Sequence, residues 1–198
     1  MKKLESSIRN MVLSLTLISI VVAGLLALVY GLTKDPIALA EQQKQEKAIK
    51  EVTPGFNNNP VAEQSEVVLS TGEKLTVFPA KKDGKLVGVA VETNTQQGFS
   101  GEIRIMAGFD MNGKVINYTV LKHAETPGLG ANMQAWFSDT TKPAQNVIDR
   151  QWHNDMKVTK DGGEVDAITA ATITSRAFID AINKAYEAFT VMKGGQNE

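Results

Sequence analysis

Four hydroxyl side chains crowd one short run near the C-terminus. They are Thr169, Thr172, Thr174 and Ser175, in Asp166-Ala-Ile-Thr-Ala-Ala-Thr-Ile-Thr-Ser175. The run leads into Ala177, Phe178, Ala181, Ile182, Ala185 and Phe189, apolar residues at helical spacing, so the hydroxyls stand at a helix start. A helix start needs only one side-chain cap. The surplus has two readings. One is redundant capping. The other is an anion site, because a helix N-terminus offers unpaired N–H groups and a positive dipole end, both of which favour a phosphate. A hydroxyl at that point can also carry the phosphate itself.

A second run, His123-Ala-Glu-Thr-Pro-Gly-Leu-Gly130, follows a strand-like segment. Thr126-Pro127-Gly128 suits a tight turn, with Pro fixing one φ and Gly free to take a positive one. Gly128 and Gly130 leave backbone N–H groups uncovered, so a flat ligand can approach closely. A plain strand-to-helix connection reads the same way, and residue chemistry alone leaves both open.

Other chemistries are poorly supplied. The 198 residues contain no cysteine and two histidines, His123 and His153. That excludes disulfides, thiolate metal sites, cysteine-held iron–sulfur clusters and thiol nucleophiles, and it disfavours a multi-histidine metal centre. Lys and Arg number 21 against 22 Asp and Glu, which gives no basic footprint for nucleic acid. No GxSxG, HExxH, Walker or GxGxxG pattern occurs, and no spacing selects a Ser/His/Asp triad.

The elements that must position the two runs are legible. Strand-like alternation over residues 74–80 and 85–92 flanks Asp83-Gly84, and over 102–109 and 115–122 it flanks Asn112-Gly113. Asp-Gly and Asn-Gly are the favoured hairpin pairs, so the reading is two hairpins and an antiparallel sheet of at least four strands. Short helical pieces are predicted over 131–137 and 147–152, Asp161-Gly162-Gly163 is a turn, and Gly194-Gly195 stops the last helix. Helices mixed with antiparallel hairpins give an α+β domain.

The N-terminal part is different. Residues 11–32 carry no charge, and a helix of that length spans a hydrocarbon core of about 30 Å. The run is longer than a signal-peptide core of roughly 7–15 residues, so it reads as an uncleaved anchor. Lys2, Lys3 and Arg9 precede it, opposed only by Glu5, which puts residues 1–10 in the cytoplasm and the rest outside it. Residues 33–62 read as a helical stalk starting at Asp35-Pro36, followed after Pro54-Gly55 by a loop. Residues 63–198 are the extracytoplasmic domain.

At the two runs the chain resembles the FMN-binding G subunit of Rnf-type electron transport complexes, a family related to the C subunit of the sodium-translocating NADH:quinone reductase. ETPGLG matches the segment that family holds beside the flavin. DAITAAT matches its flavinylation motif, an Asp followed by a tetrad of Ser/Thr, Gly/Ala, Ala and Thr. The resemblance implies FMN joined by a phosphoester to the final Thr of the tetrad, here Thr172. It implies cofactor contacts from Glu125, Thr126, Gly128, Leu129, Gly130, Thr169, Ala170 and Ala171. Asp166 and Thr174 complete the flavinylation motif, Asp166 serving the transferase or fixing the loop. The tetrad departs from the usual form with Thr for Ser at 169 and Ala for Gly at 170, and Ala170 narrows the allowed backbone.

The function so implied is electron transfer by a redox subunit of an ion-translocating ferredoxin:NAD oxidoreductase, with no independent catalytic site and no metal. Its partners would be the other membrane and redox subunits, a flavin transferase during maturation, and the lipid bilayer of an inner or cytoplasmic membrane. The C subunit of the quinone reductase, or a cofactor-free anchored assembly module, are the alternatives.

Overall fold

The computed structural model describes residues 7–195. Lys2, Lys3 and Glu5 of the charge-bias argument lie outside the described residues. The elements are α1 (Ile8–Val52), β1 (Ser65–Val68), β2 (Lys74–Lys82), β3 (Lys85–Gly98), β4 (Gly101–Asp110), β5 (Val115–Lys122), α2 (Met133–Trp136) and α3 (Thr172–Gly194), with single 3-10 turns at Gly130–Asn132 and Thr159–Asp161. Helices around an antiparallel sheet make this an α+β fold, as the hairpin pattern predicts.

Helix α1 is long and apolar enough to cross a membrane, and its apolar side chains up to Leu39 are exposed. Pro36 lies inside α1 instead of opening a second helix. Proline interrupts the ladder locally, but helix formers on both sides carry the helix through it. The chain divides into two compact units after Gln43, so the last turns of α1 belong with the sheet.

The sheet is a five-stranded antiparallel meander in chain order. Asp83 and Gly84 both have positive φ (51° and 78°), the two-residue turn that Asp-Gly favours. Asn112-Gly113 behaves differently. Only Gly113 has positive φ (84°), the Gly113 N–H donates to the Asp110 carbonyl, and the Asp110 N–H donates to the Lys114 carbonyl. That is a three-residue loop ending in a glycine bulge. Asp110 forces it, its side chain accepting from the N–H groups of both Asn112 and Lys114 at 2.8 Å.

Both faces of the central strands are covered. On one face Val77, Val91, Ile105, Ala107 and Phe109 meet α3 through Ala177, Phe178, Ala181, Ile182, Ala185 and Phe189. Each large apolar side chain so buried contributes about 1.5–3 kcal/mol. Rings extend that core, with Phe137 stacked on Phe178 at 4.2 Å and Tyr118 edge-on to Phe178 at 4.9 Å. The Tyr118 hydroxyl lies 2.9 and 2.8 Å from the Met133 and Gln134 carbonyls, pinning α2 to β5. Burial pushes that phenol well above its ordinary range.

On the opposite face Ala48, Ile49 and Val52 of α1 bury Phe78, Ala90 and Met106. The approach is so close that a Cβ on Gly108 would stand 2.0 Å from the Val52 carbonyl oxygen. Reading residues 33–52 as a stalk does not anticipate this packing, because its apolar side is only three residues wide.

Residues 147–152 form a turn rather than a helix, with Asp149 at φ 61° and the Arg150 N–H donating to the Val147 carbonyl at 3.3 Å. The Val115 N–H donates to the Arg150 carbonyl (3.0 Å) and the Asp149 N–H to the Val115 carbonyl (2.8 Å). The segment thus satisfies the start of β5, and Val147 and Trp152 are buried in the main core.

Candidate functional site

The loop after β5 builds one wall. Thr126-Pro127-Gly128-Leu129 is a tight turn, with the Leu129 and Ala131 N–H groups donating to the Thr126 carbonyl at 3.1 and 3.2 Å. Gly128 has φ 79°, the left-handed value a type II turn demands at its third residue. A Cβ there would meet nothing within 4 Å, so turn conformation, not crowding, selects glycine at 128.

Glu125 locks that loop to two other elements. Its side chain is buried, 4% exposed. One carboxyl oxygen accepts the Ser100 N–H (2.9 Å) in the β3–β4 turn, and the other accepts the Thr174 hydroxyl (2.5 Å) at the start of α3. The Glu125 N–H donates to Nδ1 of His123 (3.2 Å). Two glycines make room for this carboxylate. A Cβ on Gly98 would stand 2.8 Å from Oε1, and one on Gly130 would stand 2.6 Å from Oε2 and 2.5 Å from Thr174 Oγ1.

The second wall is residues 166–174. The Asp166 N–H donates to the Ala144 carbonyl (2.8 Å), and its own carbonyl accepts the Trp136 indole N–H (3.0 Å). Asp166 therefore fixes the loop through its main chain. The Ala171 N–H closes a turn on the Ile168 carbonyl (3.0 Å) with Ala170 at φ 60°. This is the residue at which the sequence departs, with Ala for Gly, from the tetrad it resembles. An alanine held there costs about 1–2 kcal/mol in strain. Ala170→Gly relieves that strain but loosens the unfolded chain, for a net gain of about 0.5–1 kcal/mol. A thermal melt should show Tm rising by about 1–4 °C. A fall in Tm would refute the strain.

The hydroxyls resolve cleanly. No side chain caps α3; its N-cap residue is Ala171. The first helical bond is the Ser175 N–H to the Ala171 carbonyl, which leaves the N–H groups ahead of it outside the ladder. Ser175 is buried, donates to the Ala171 carbonyl (2.9 Å) and accepts the Ile168 N–H (2.9 Å). Thr174 is buried and donates to Glu125. Thr172 is partly exposed, and its oxygen accepts from Nζ of Lys160 (2.8 Å). Redundant capping does not account for the cluster, because none of the hydroxyls caps.

Between the walls is a cavity of about 300 Å³. Glu125, Thr126, Leu129, Gly130, Ala170, Ala171, Thr172 and Thr174 line it, so most of the residues singled out in the sequence meet at one place. Gly128, Thr169 and Asp166 do not line it. Phe99 and Ile173 do, and sequence reasoning missed both. They are 68% and 48% exposed, and with Leu129 (39%) they give the cavity an apolar rim. A large aromatic between Gly98 and Gly101 at a hairpin tip was the available signal for Phe99.

An apolar slot beside an uncapped helix start and a partly exposed hydroxyl suits a ligand with a flat ring and an anionic tail. The residues present fit FMN in both respects. Lys160 adds a cation at Thr172. One helical turn further, Arg176 makes two 2.7 Å bonds to Asp161 and holds its carboxyl below the usual carboxylate range.

Comparison with known proteins agrees with this geometry. A family described as FMN-binding domain matches residues 98–187, a span that contains every residue lining the cavity. A second, described as RnfG N-terminal region, matches residues 1–52. The G subunit of the ion-translocating oxidoreductase complex of Vibrio cholerae is 36% identical over 190 residues, 92% of this chain and 90% of its own. The G subunits of the same complex from Vibrio parahaemolyticus and Shewanella oneidensis are each 34% identical, covering 89% and 90% of this chain and 87% of theirs.

Proposed function

This chain belongs to the family of G subunits of ion-translocating oxidoreductase complexes, and on that footing we propose that it carries FMN as a phosphoester on Thr172. It is a membrane-anchored flavin electron-transfer subunit. One observation carries the choice of residue. Of the four hydroxyls, only that of Thr172 both lines the cavity and lies outside the buried hydrogen-bond network. Thr174 and Ser175 spend their protons inside the protein, and Thr169 lies off the cavity.

Bound FMN supplies the electron-carrying chemistry, which side chains cannot. The chain's own residues hold and orient it. Phe99, Leu129 and Ile173 offer apolar contact for a ring system. The start of α3 favours the negative charge of the phosphodiester by about 0.3–1 kcal/mol where exposed, and by more where partly buried. Gly128 and Asp166 act from outside the lining by shaping the loops, Asp166 also during attachment by a flavin transferase, whereas Thr169 is exposed and off the cavity. Covalent attachment prevents loss of the flavin from a domain held outside the cytoplasm. Electrons pass between redox partners in other subunits of a ferredoxin:NAD oxidoreductase, and the ion moves elsewhere in that complex.

Intact mass and peptide mapping of the full chain, made with and without a flavin transferase, test this reading. The expected result is a mass gain of one FMN less water, mapped to the peptide holding Thr172. An unmodified chain would support the cofactor-free assembly module instead.

Orientation follows from the flanking charges, with residues 1–10 cytoplasmic and the domain outside. A C-terminal alkaline phosphatase fusion should be active, since that enzyme matures only outside the cytoplasm. A stably expressed but inactive fusion refutes this orientation.

A further inference from the structure

Lys160 lies twelve residues before Thr172, in a connection whose only helical piece is the single 3-10 turn Thr159–Asp161, yet its ammonium donates to Thr172 Oγ1 at 2.8 Å. The local fold brings it there. Residues 157–165 double back tightly, with Val158 bridging Val165 in parallel and the Gly163 N–H donating to the Val158 carbonyl (3.1 Å). A Cβ on Gly163 would stand 2.1 Å from the Lys157 carbonyl oxygen, so glycine is required for that closure. The 3-10 turn Thr159–Asp161 at the tip ends on Gly162 at φ 81° and presents Lys160 beside the start of α3.

The neighbouring charges are arranged so that Lys160 stays available. Asp161, the adjacent residue, is an anion that would compete for it. Arg176 takes both oxygens of that carboxylate at 2.7 Å. Lys157 adds a further favourable field on Asp161. Glu164, across the turn, pairs with Arg150 at 3.5 Å. Among the described residues Lys160 has a neutral hydroxyl as its partner and no carboxylate as a counter-ion, because the two beside it in sequence are paired elsewhere.

We propose that Lys160 is the counter-ion of the phosphodiester formed at Thr172, a positioning residue that fixes the phosphate end of the cofactor. This rests on the reading of Thr172 given above. In the unloaded chain the ammonium holds Oγ1. Once Oγ1 is esterified it is a poor acceptor, and the charge sits on the phosphate's non-bridging oxygens, two bonds further out. The ammonium reaches them with a small side-chain movement, and the uncapped N–H groups of α3 face the same anion. Two cationic ends, one mobile and one fixed, then define where the ester points and hence where the ring begins.

The test uses the full chain without mutation, as two preparations: flavinylated, and made without a transferase. Surface lysines are acylated over a range of pH, and the rate at each lysine is read by peptide mass. Acylation needs the neutral amine. Pairing with an anion raises the amine's pKa by about one unit, which lowers the reactive fraction about tenfold at a given pH. The midpoint of the Lys160 profile should therefore move up by about one pH unit on flavinylation, while that of Lys157 stays in place. Shielding by the flavin ring would instead lower the plateau without moving the midpoint, and that result, or an unchanged profile, overturns the counter-ion role while leaving the Thr172 reading intact. Flavin mapped to another residue overturns both.

Discussion

Thr172→Ala should abolish the fluorescent flavin band of the denatured chain, while Thr172→Ser keeps it. The expected effect is all or none, because a phosphoester needs a hydroxyl oxygen and alanine has none. Folding should survive. Thr172 is the first residue of α3, it is only partly buried, and its described side-chain partner is the flexible Lys160. Alanine is a better helix former, so Tm should stay within about 2 °C.

Neighbouring variants sharpen the result. Thr169→Ala should keep the band with little change in Tm, since the residue is exposed and off the cavity. Thr174→Ala should also keep it, but at a cost of about 1–3 kcal/mol, because the buried Glu125 oxygen loses its donor. A band that persists in Thr172→Ala, or disappears only in Thr174→Ala, would reassign the attachment.

Much of this site was visible in the order of residues, and the reason is local. The Thr126–Leu129 turn follows from Pro127 and Gly128, whose φ preferences are properties of single residues. The Asp83-Gly84 turn and the spacing of Ala177, Phe178, Ala181 and Ile182 are equally local. Ala170, whose side chain narrows the allowed backbone, adopts a positive φ of 60°.

What was not legible depends on partners distant in sequence. The carboxyl of Glu125 reaches Ser100 and Thr174, and Lys160 reaches Thr172 through a fold-back that has no periodicity. Residues 147–152 have an apolar spacing that a short helix would share, but hydrogen bonding to Val115 goes with a turn at Asp149 instead. The buried edge of α1 escaped notice because Ala48, Ile49 and Val52 make too small a stripe to stand out from a polar stalk.

The two glycines of the ETPGLG run look alike in sequence, but substitution should separate them. Gly130→Ala puts a methyl 2.5 Å from Thr174 Oγ1 and 2.6 Å from Glu125 Oε2. Neither atom can retreat easily. Thr174 is fixed in the first turn of α3, and Glu125 is held at its other oxygen by the Ser100 N–H. Overpacking costs about 1–3 kcal/mol, and prying apart a buried hydrogen bond to a charged group adds about 1.5–3 kcal/mol. A total of about 2.5–6 kcal/mol should lower Tm by about 5–24 °C for a domain of this size.

Gly128→Ala meets no atom within 4 Å and has only its left-handed conformation to hold, a strain that the stiffer unfolded chain reduces to a net cost of about 0.5–1 kcal/mol. It should lower Tm by about 1–4 °C. Flavin loading should follow the same order, because displacing Glu125 separates the loop after β5 from α3, and these are the two walls that form the cavity. Equal melts for the two variants, or a larger loss in Gly128→Ala, would mean that Glu125 is not what joins the walls. A double-mutant comparison of Gly130→Ala with Thr174→Ala then supplies the cause. If the methyl acts by breaking the Glu125–Thr174 bond, its penalty shrinks by at least about 1 kcal/mol when Thr174 is already alanine, since a hydrogen bond that is already gone cannot be broken again.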